Sequence, residues 1–170
     1  MSLSANSEFL DRSSVPLPTE RDFDPHQGDL DAQWAWKNFG GLSLNQAYGK
    51  FLSRPEIYQE DFMFMGIRAF DYYFPVIDRY LREVSIGEDH LGDCEASILG
   101  CAAAAQLGWT GAVLPERLLL EMDDLRRFVT DNVARYAATP KDRRRILRDW
   151  RRVANEMEQY QTANKSGRRG

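Results

Sequence analysis

Apolar side chains recur every three or four residues along most of this chain and nowhere alternate convincingly, so the pattern predicts helices throughout. In LDAQWAWKNF, Leu30, Trp34 and Lys37-Asn38-Phe39 stand at helical spacing before Gly40-Gly41, a glycine signal for a helix end. Ser43 then caps a second helix, whose Leu44, Ala47, Tyr48 and Phe51 share one face and which stops before Pro55. In the aromatic stretch that follows, Phe70, Tyr73, Phe74, Ile77, Tyr80, Leu81 and Val84 fall within about 120° of arc. Arg68, Asp71, Asp78, Arg79 and Arg82 lie outside that arc, which predicts an amphipathic helix with a polar face. Pro75 lacks a backbone donor and crowds the carbonyl of Asp71, so a kink or a fresh start is expected there. The aromatics read first as core. Tyr58, Met63, Met65 and Tyr72 form a candidate groove, because methionine adapts to irregular binding surfaces.

Further on, Leu91, Cys94, Ile98, Ala102, Ala105 and Trp109 make one stripe, and the alanine run from Ala102 to Ala105 predicts a tightly packed inner helix. Leu118, Met122, Leu125, Val129, Val133 and Tyr136 mark the next helix by steps of three and four. Thr139 as cap, Pro140 at the first position and Asp142 in the first turn start the last one, with Ile146, Trp150, Val153, Met157 and Tyr160 on its apolar face. So short a connection predicts an antiparallel hairpin. Residues 1–28, with Pro16, Pro18, Pro25 and Gly28 and no periodicity, read as a flexible N-terminal arm before a helical domain over 29–163 and a basic tail over 164–170. The expected fold class is all-α, a single-domain bundle of five to seven helices.

Composition narrows the class. A chain of 170 residues, 43% hydrophobic and 28% charged, suits one soluble domain, and no apolar run approaches the roughly eighteen residues of a membrane span. The amino terminus lacks a basic stretch leading into an apolar one, so no secretory leader is expected. Cys94 and Cys101 sit two helical turns apart, roughly 10 Å and beyond disulfide reach. Free thiols point to a reducing, cytoplasmic location.

Chemistry is sparse. Phosphate loops, dinucleotide fingerprints and paired-histidine zinc motifs are absent. His90, Cys94 and Cys101 share a helical face, but two turns are too far for one ion to bridge and no fourth ligand is evident, so no metal and no cofactor is expected. Glu56 and Glu60 stand four apart beside Asp61, the spacing of an acid-base pair and equally of a solvated surface. With no histidine or lysine beside them to organise a nucleophile, no catalytic residue is assigned.

Charge distribution is the sharper signal. Residues 141–170 hold ten Lys or Arg against four Asp or Glu, while residues 1–140 hold 12 against 22. On the last helix Arg144, Arg145, Arg148, Arg151 and Arg152 span about 120° opposite Trp150. Arg144, Arg148 and Arg152 form a like-charged row that invites anionic compensation, from a partner or from Glu121, Asp123, Asp124 or Asp131 on the preceding helix. A net charge of −4 disfavours nucleic acid as that partner.

WKNFGGLSLNQAYGKFL followed by YQEDFMFMGIRAFDYYFPVIDRYL, from Trp36 to Leu81, resembles small uncharacterised bacterial helical proteins, some of which are taken to act as immunity or accessory proteins beside secreted toxins. The resemblance implies stoichiometric binding to a protein target and carries no catalytic residue with it. The leading expectation is therefore a non-enzymatic protein-protein interaction module using the charged surface of the last helix. The alternatives are a nucleic-acid-associated regulator using the same helix, and a small enzyme built on Glu56, Glu60, Asp61 and His90.

Overall fold

The computed structural model describes residues 10–12, 14–84, 93–109 and 113–167. Among them the chain is all-helical, with six helices of ten residues or more and no strand. Three single turns, α1 (Glu20–Phe23), α4 (Pro55–Tyr58) and α5 (Asp61–Phe64), punctuate α2 (Leu30–Phe39), α3 (Leu44–Ser53) and α6 (Ile67–Glu83). α7 (Asp93–Gly108), α8 (Glu116–Asp131) and α9 (Pro140–Gly167) follow, with a 3-10 turn at Val133–Arg135 between the last two. Several boundaries lie where capping chemistry puts them. The Asp29 carboxylate accepts from the backbone of Asp31 and Ala32, and Ser43 and Gln46 cap each other reciprocally.

The centre is α6, and its surroundings correct two expectations. Twelve of its seventeen residues are buried, including Asp71 and Asp78 at 6% and 7% exposure, so the two acids of the face read as polar are covered, while Arg68 stays exposed and Arg79 and Arg82 partly so. The helix also continues through Pro75, so no fresh start occurs there. Proline cannot donate to the carbonyl of Asp71 one turn back, and that carbonyl instead accepts from Arg12 Nε at 2.9 Å. Arg12 comes from the segment expected to be a flexible arm. Its guanidinium, 1% exposed, also bonds Glu121 Oε1 at 3.0 Å and lies 3.4 Å from Asp71 Oδ1, while Arg117 Nη2 sits 2.9 Å from Asp71 Oδ2. Phe23 is fully buried, and Gly66 donates its N–H to the Phe23 carbonyl at 2.9 Å; a Cβ on Gly66 would stand 2.3 Å from the Asp22 carbonyl oxygen. The described part of residues 10–28 is therefore a strap bound to α6 and α8. Residues 1–9 lie outside the described residues.

α9 packs most extensively on α7, then on α8. Trp150 is fully buried over Gly100, where a Cβ would meet the indole at 2.9 Å, and its Nε1–H donates to the Ala96 carbonyl at 2.8 Å. The alanine-rich α7 thus lets a bulky helix approach closely, as its composition predicts. Of its expected stripe Ala102 is fully buried, Ile98 and Ala105 are half-buried and Trp109 is exposed, while Ala96, Leu99, Ala103 and Leu107 are buried as well; Leu91 lies outside the described residues. The Leu114 amide, just before α8, donates to Tyr160 Oη near the far end of α9 at 2.9 Å, which makes these two helices antiparallel. Leu118, Met122, Leu125 and Val129 fill the interior from α8 as their spacing predicts.

Candidate functional site

The last helix divides its residues cleanly. Ile146, Trp150 and Val153 are fully buried, and Met157 nearly so. On the other side Arg144, Arg148, Arg151 and Arg152 are exposed, with Arg145 half-buried. The start of the helix is tied by the Asp142 amide donating to Thr139 Oγ1 at 3.2 Å, so the row is held in register by a cap and a packed face rather than by its own charges.

The acidic residues of α8 are engaged with other arginines. Glu121 pairs with Arg12 and Arg117, Asp123 with Arg126 at 2.7 Å and Arg127 at 2.6 Å, and Asp124 with Arg82 at 2.6 Å. Internal compensation of the row by these three carboxylates is therefore not what the structure contains; Asp131 is exposed at the end of α8. Two acids of α9 itself lie beside the row. Arg148 Nε donates to Asp149 Oδ1 at 2.9 Å, and Arg145 stands 3.8 Å from Asp142. Asp149 is buried at 3% exposure and accepts from Ser97 Oγ on α7, so its charge is shared between an inward hydroxyl and one outward guanidinium.

The candidate groove is not assembled. Met65 is fully buried and Tyr72 is 8% exposed, Met63 packs half-buried on the core, and Tyr58 meets the edge of Phe39 at 5.9 Å.

The acidic cluster is dispersed as well. Glu56 lies on α4 and Glu60 in the turn beyond its end, so they share no helix. Both are exposed, and Glu56 stands 3.6 Å from Arg54. Asp61 is buried against α2, where Asn38 Nδ2 donates to it at 2.8 Å, and burial pushes its carboxyl up to about 6. His90 and the Cys94 side chain lie outside the described residues. The Cys101 thiol is half-buried near Asp149, and burial, with that carboxylate, pushes its pKa up and disfavours the nucleophilic thiolate. Among the described residues no group of three or more His, Cys, Asp or Glu is placed to hold a metal ion.

One surface escaped the sequence reading. Leu30 and Trp34, two of the residues that mark the helical spacing of α2, are 78% and 58% exposed, while Ala32, Ala35 and Phe39 face the core. Both stripes have helical spacing. The small alanines permit the closer approach, and that is the signal that separates the two sets.

Among the described residues no helix is long and apolar enough to cross a membrane. No family model, curated protein or solved structure matches the chain.

Proposed function

We propose that this protein acts by binding another protein through the arginine row of α9, without catalysing a reaction. The observation that carries this reading is the exposure of Arg144, Arg148, Arg151 and Arg152 beside an acidic helix whose Glu121, Asp123 and Asp124 are already paired elsewhere. A like-charged row four residues apart is mildly unfavourable by itself, and an acidic partner surface relieves it. A stoichiometric, immunity-like or accessory role fits this surface. A cytoplasmic setting suits the free Cys101 thiol. Nucleic acid is the weaker candidate, since residues 1–140 repel a polyanion with an excess of ten acidic groups over basic ones.

The test is a variant with Arg144→Gln, Arg148→Gln and Arg152→Gln. Captured partner protein should bind it at least about tenfold more weakly, and its association rate should lose most of its salt dependence. Unchanged rate and affinity would remove the row from the interface. Binding to random duplex DNA that falls steeply with salt and depends on the same three arginines would install the nucleic-acid reading instead.

A further inference from the structure

The exposed stripe of α2 has a chemistry of its own. Leu30 and Trp34 lie one turn apart on the same line of the helix, with more than half of each side chain in water, whereas the Ala32, Ala35 and Phe39 face is closed on the core. A solvated leucine alone is ordinary, but a leucine-tryptophan pair on one ridge is an anchor of the kind that protein interfaces bury. Its surroundings are acidic. Of the acids in residues 20–31, Glu20, Asp29 and Asp31 are exposed, against the exposed Arg21, while Asp24 is buried and Asp22 pairs with Arg68. Gln33, on the flank of the stripe, donates to Asp24 Oδ2 at 3.2 Å and so joins the acidic turn to the helix.

Residues 143–152 on α9 present the complement, six arginines against Asp149. Within one chain these surfaces belong to different neighbourhoods: α2 packs on α1 and α5, and α9 on α7, α8 and the 3-10 turn. A further observation concerns the tryptophan itself. The Lys37 ammonium stands 5.2 Å from the centre of the Trp34 ring, so this indole face already receives a cation, and a planar guanidinium stacks there better than an ammonium.

We infer that the Leu30–Trp34 ridge of α2 and its acidic rim dock the arginine row of α9 from a second copy of this chain. The inference rests on the reading of α9 as a docking face and names its partner. Such a contact joins two different surfaces, so each copy has one ridge and one row to offer.

Sedimentation of the full-length protein over a range of concentrations tests it. The wild type should show a mass rising above 19.6 kDa with concentration, and the rise should shrink between about 50 and 500 mM salt as the charges are screened. Two variants, Leu30→Gln with Trp34→Gln, and Arg144→Gln with Arg148→Gln and Arg152→Gln, should each self-associate at least about tenfold more weakly. Mixed together, they should form a complex of one chain of each, since the first keeps an intact row and the second an intact ridge. Formation of that complex also shows that both variants are folded. A wild type that stays monomeric throughout, or a mixture that forms no complex while the wild type does, overturns the inference. A monomeric wild type whose row still governs capture of another acidic protein overturns only the second copy and leaves the reading of α9 intact.

Discussion

Arg12 and Arg148 carry the same guanidinium and end in opposite environments, the first with 1% of its side chain exposed and the second with 69%. Arg12 is drawn inward by converging acceptors: the Asp71 carbonyl that Pro75 leaves without its helical donor, and the Asp71 and Glu121 carboxylates, which it shares with Arg117. Burial of one cation is sustained there because several acceptors converge on it. Arg148 meets the Asp149 carboxylate, which is itself turned under α9 toward Ser97, and its own side chain stays in water. Convergence of acceptors, and not proximity to one acid, separates a buried structural arginine from an exposed one.

The largest expected effect tests the buried side of this contrast. Arg12→Ala removes one cation from a cluster that still buries Asp71 and orphans the Asp71 carbonyl again, so it should cost about 3 to 5 kcal/mol in urea unfolding. A loss below about 1 kcal/mol would return residues 10–28 to the status of a dispensable arm and dissolve the contrast.

Asp61 sharpens the comparison, because it is a buried carboxylate whose hydrogen-bond donor is an amide rather than an arginine. Its folded pKa of about 6 lies above the ordinary 3.8, so the folded chain holds the proton more tightly than the unfolded one. The cost of ionising it is absent below the ordinary value, grows as the pH rises, and is fully present above about pH 6. Asp61→Asn should therefore stabilise the protein by about 2 kcal/mol at pH 8 and leave it unchanged near pH 3. A variant that is equally or less stable at pH 8 would show that Asn38 and the nearby Lys50 ammonium, which bonds the Asn38 carbonyl at 2.6 Å, together compensate the charge as well as an arginine does.

The smallest effect belongs to the exposed side. Replacing Arg144 and Arg152 by glutamine, with Arg148 left in place on the buried Asp149, should change the unfolding free energy by less than about 0.5 kcal/mol, since good helix formers replace solvated side chains and like-charge repulsion is relieved. A loss several times larger would mean that the row serves folding, as Arg12 does.

Part of the candidate site could be read locally. The cap at Thr139, the apolar line through Ile146, Trp150 and Val153, and the arginines opposite them all follow from periodicity within one helix. The strap was missed because its sequence is locally aperiodic, although the Asp71 carbonyl crowded by Pro75 was a visible vacancy waiting for a donor. Nothing local said that the donor would be Arg12, which stands 59 residues away along the chain.

What the sequence by itself determined is the all-helical class, the end of α2, both ends of α3 and the start of α9, and the two-sided character of α9. These rest on interactions within a few residues, where spacing, capping groups and proline act directly on the backbone. Only the tertiary structure decided that Asp71 and Asp78 of α6 are buried, that α2 turns its alanines inward and Trp34 outward, and that α9 leans chiefly on α7. Each of those outcomes depends on which surfaces compete for the same interior, and the winner is set by close packing and by the meeting of distant charges, such as Arg12 and Glu121 across 109 residues.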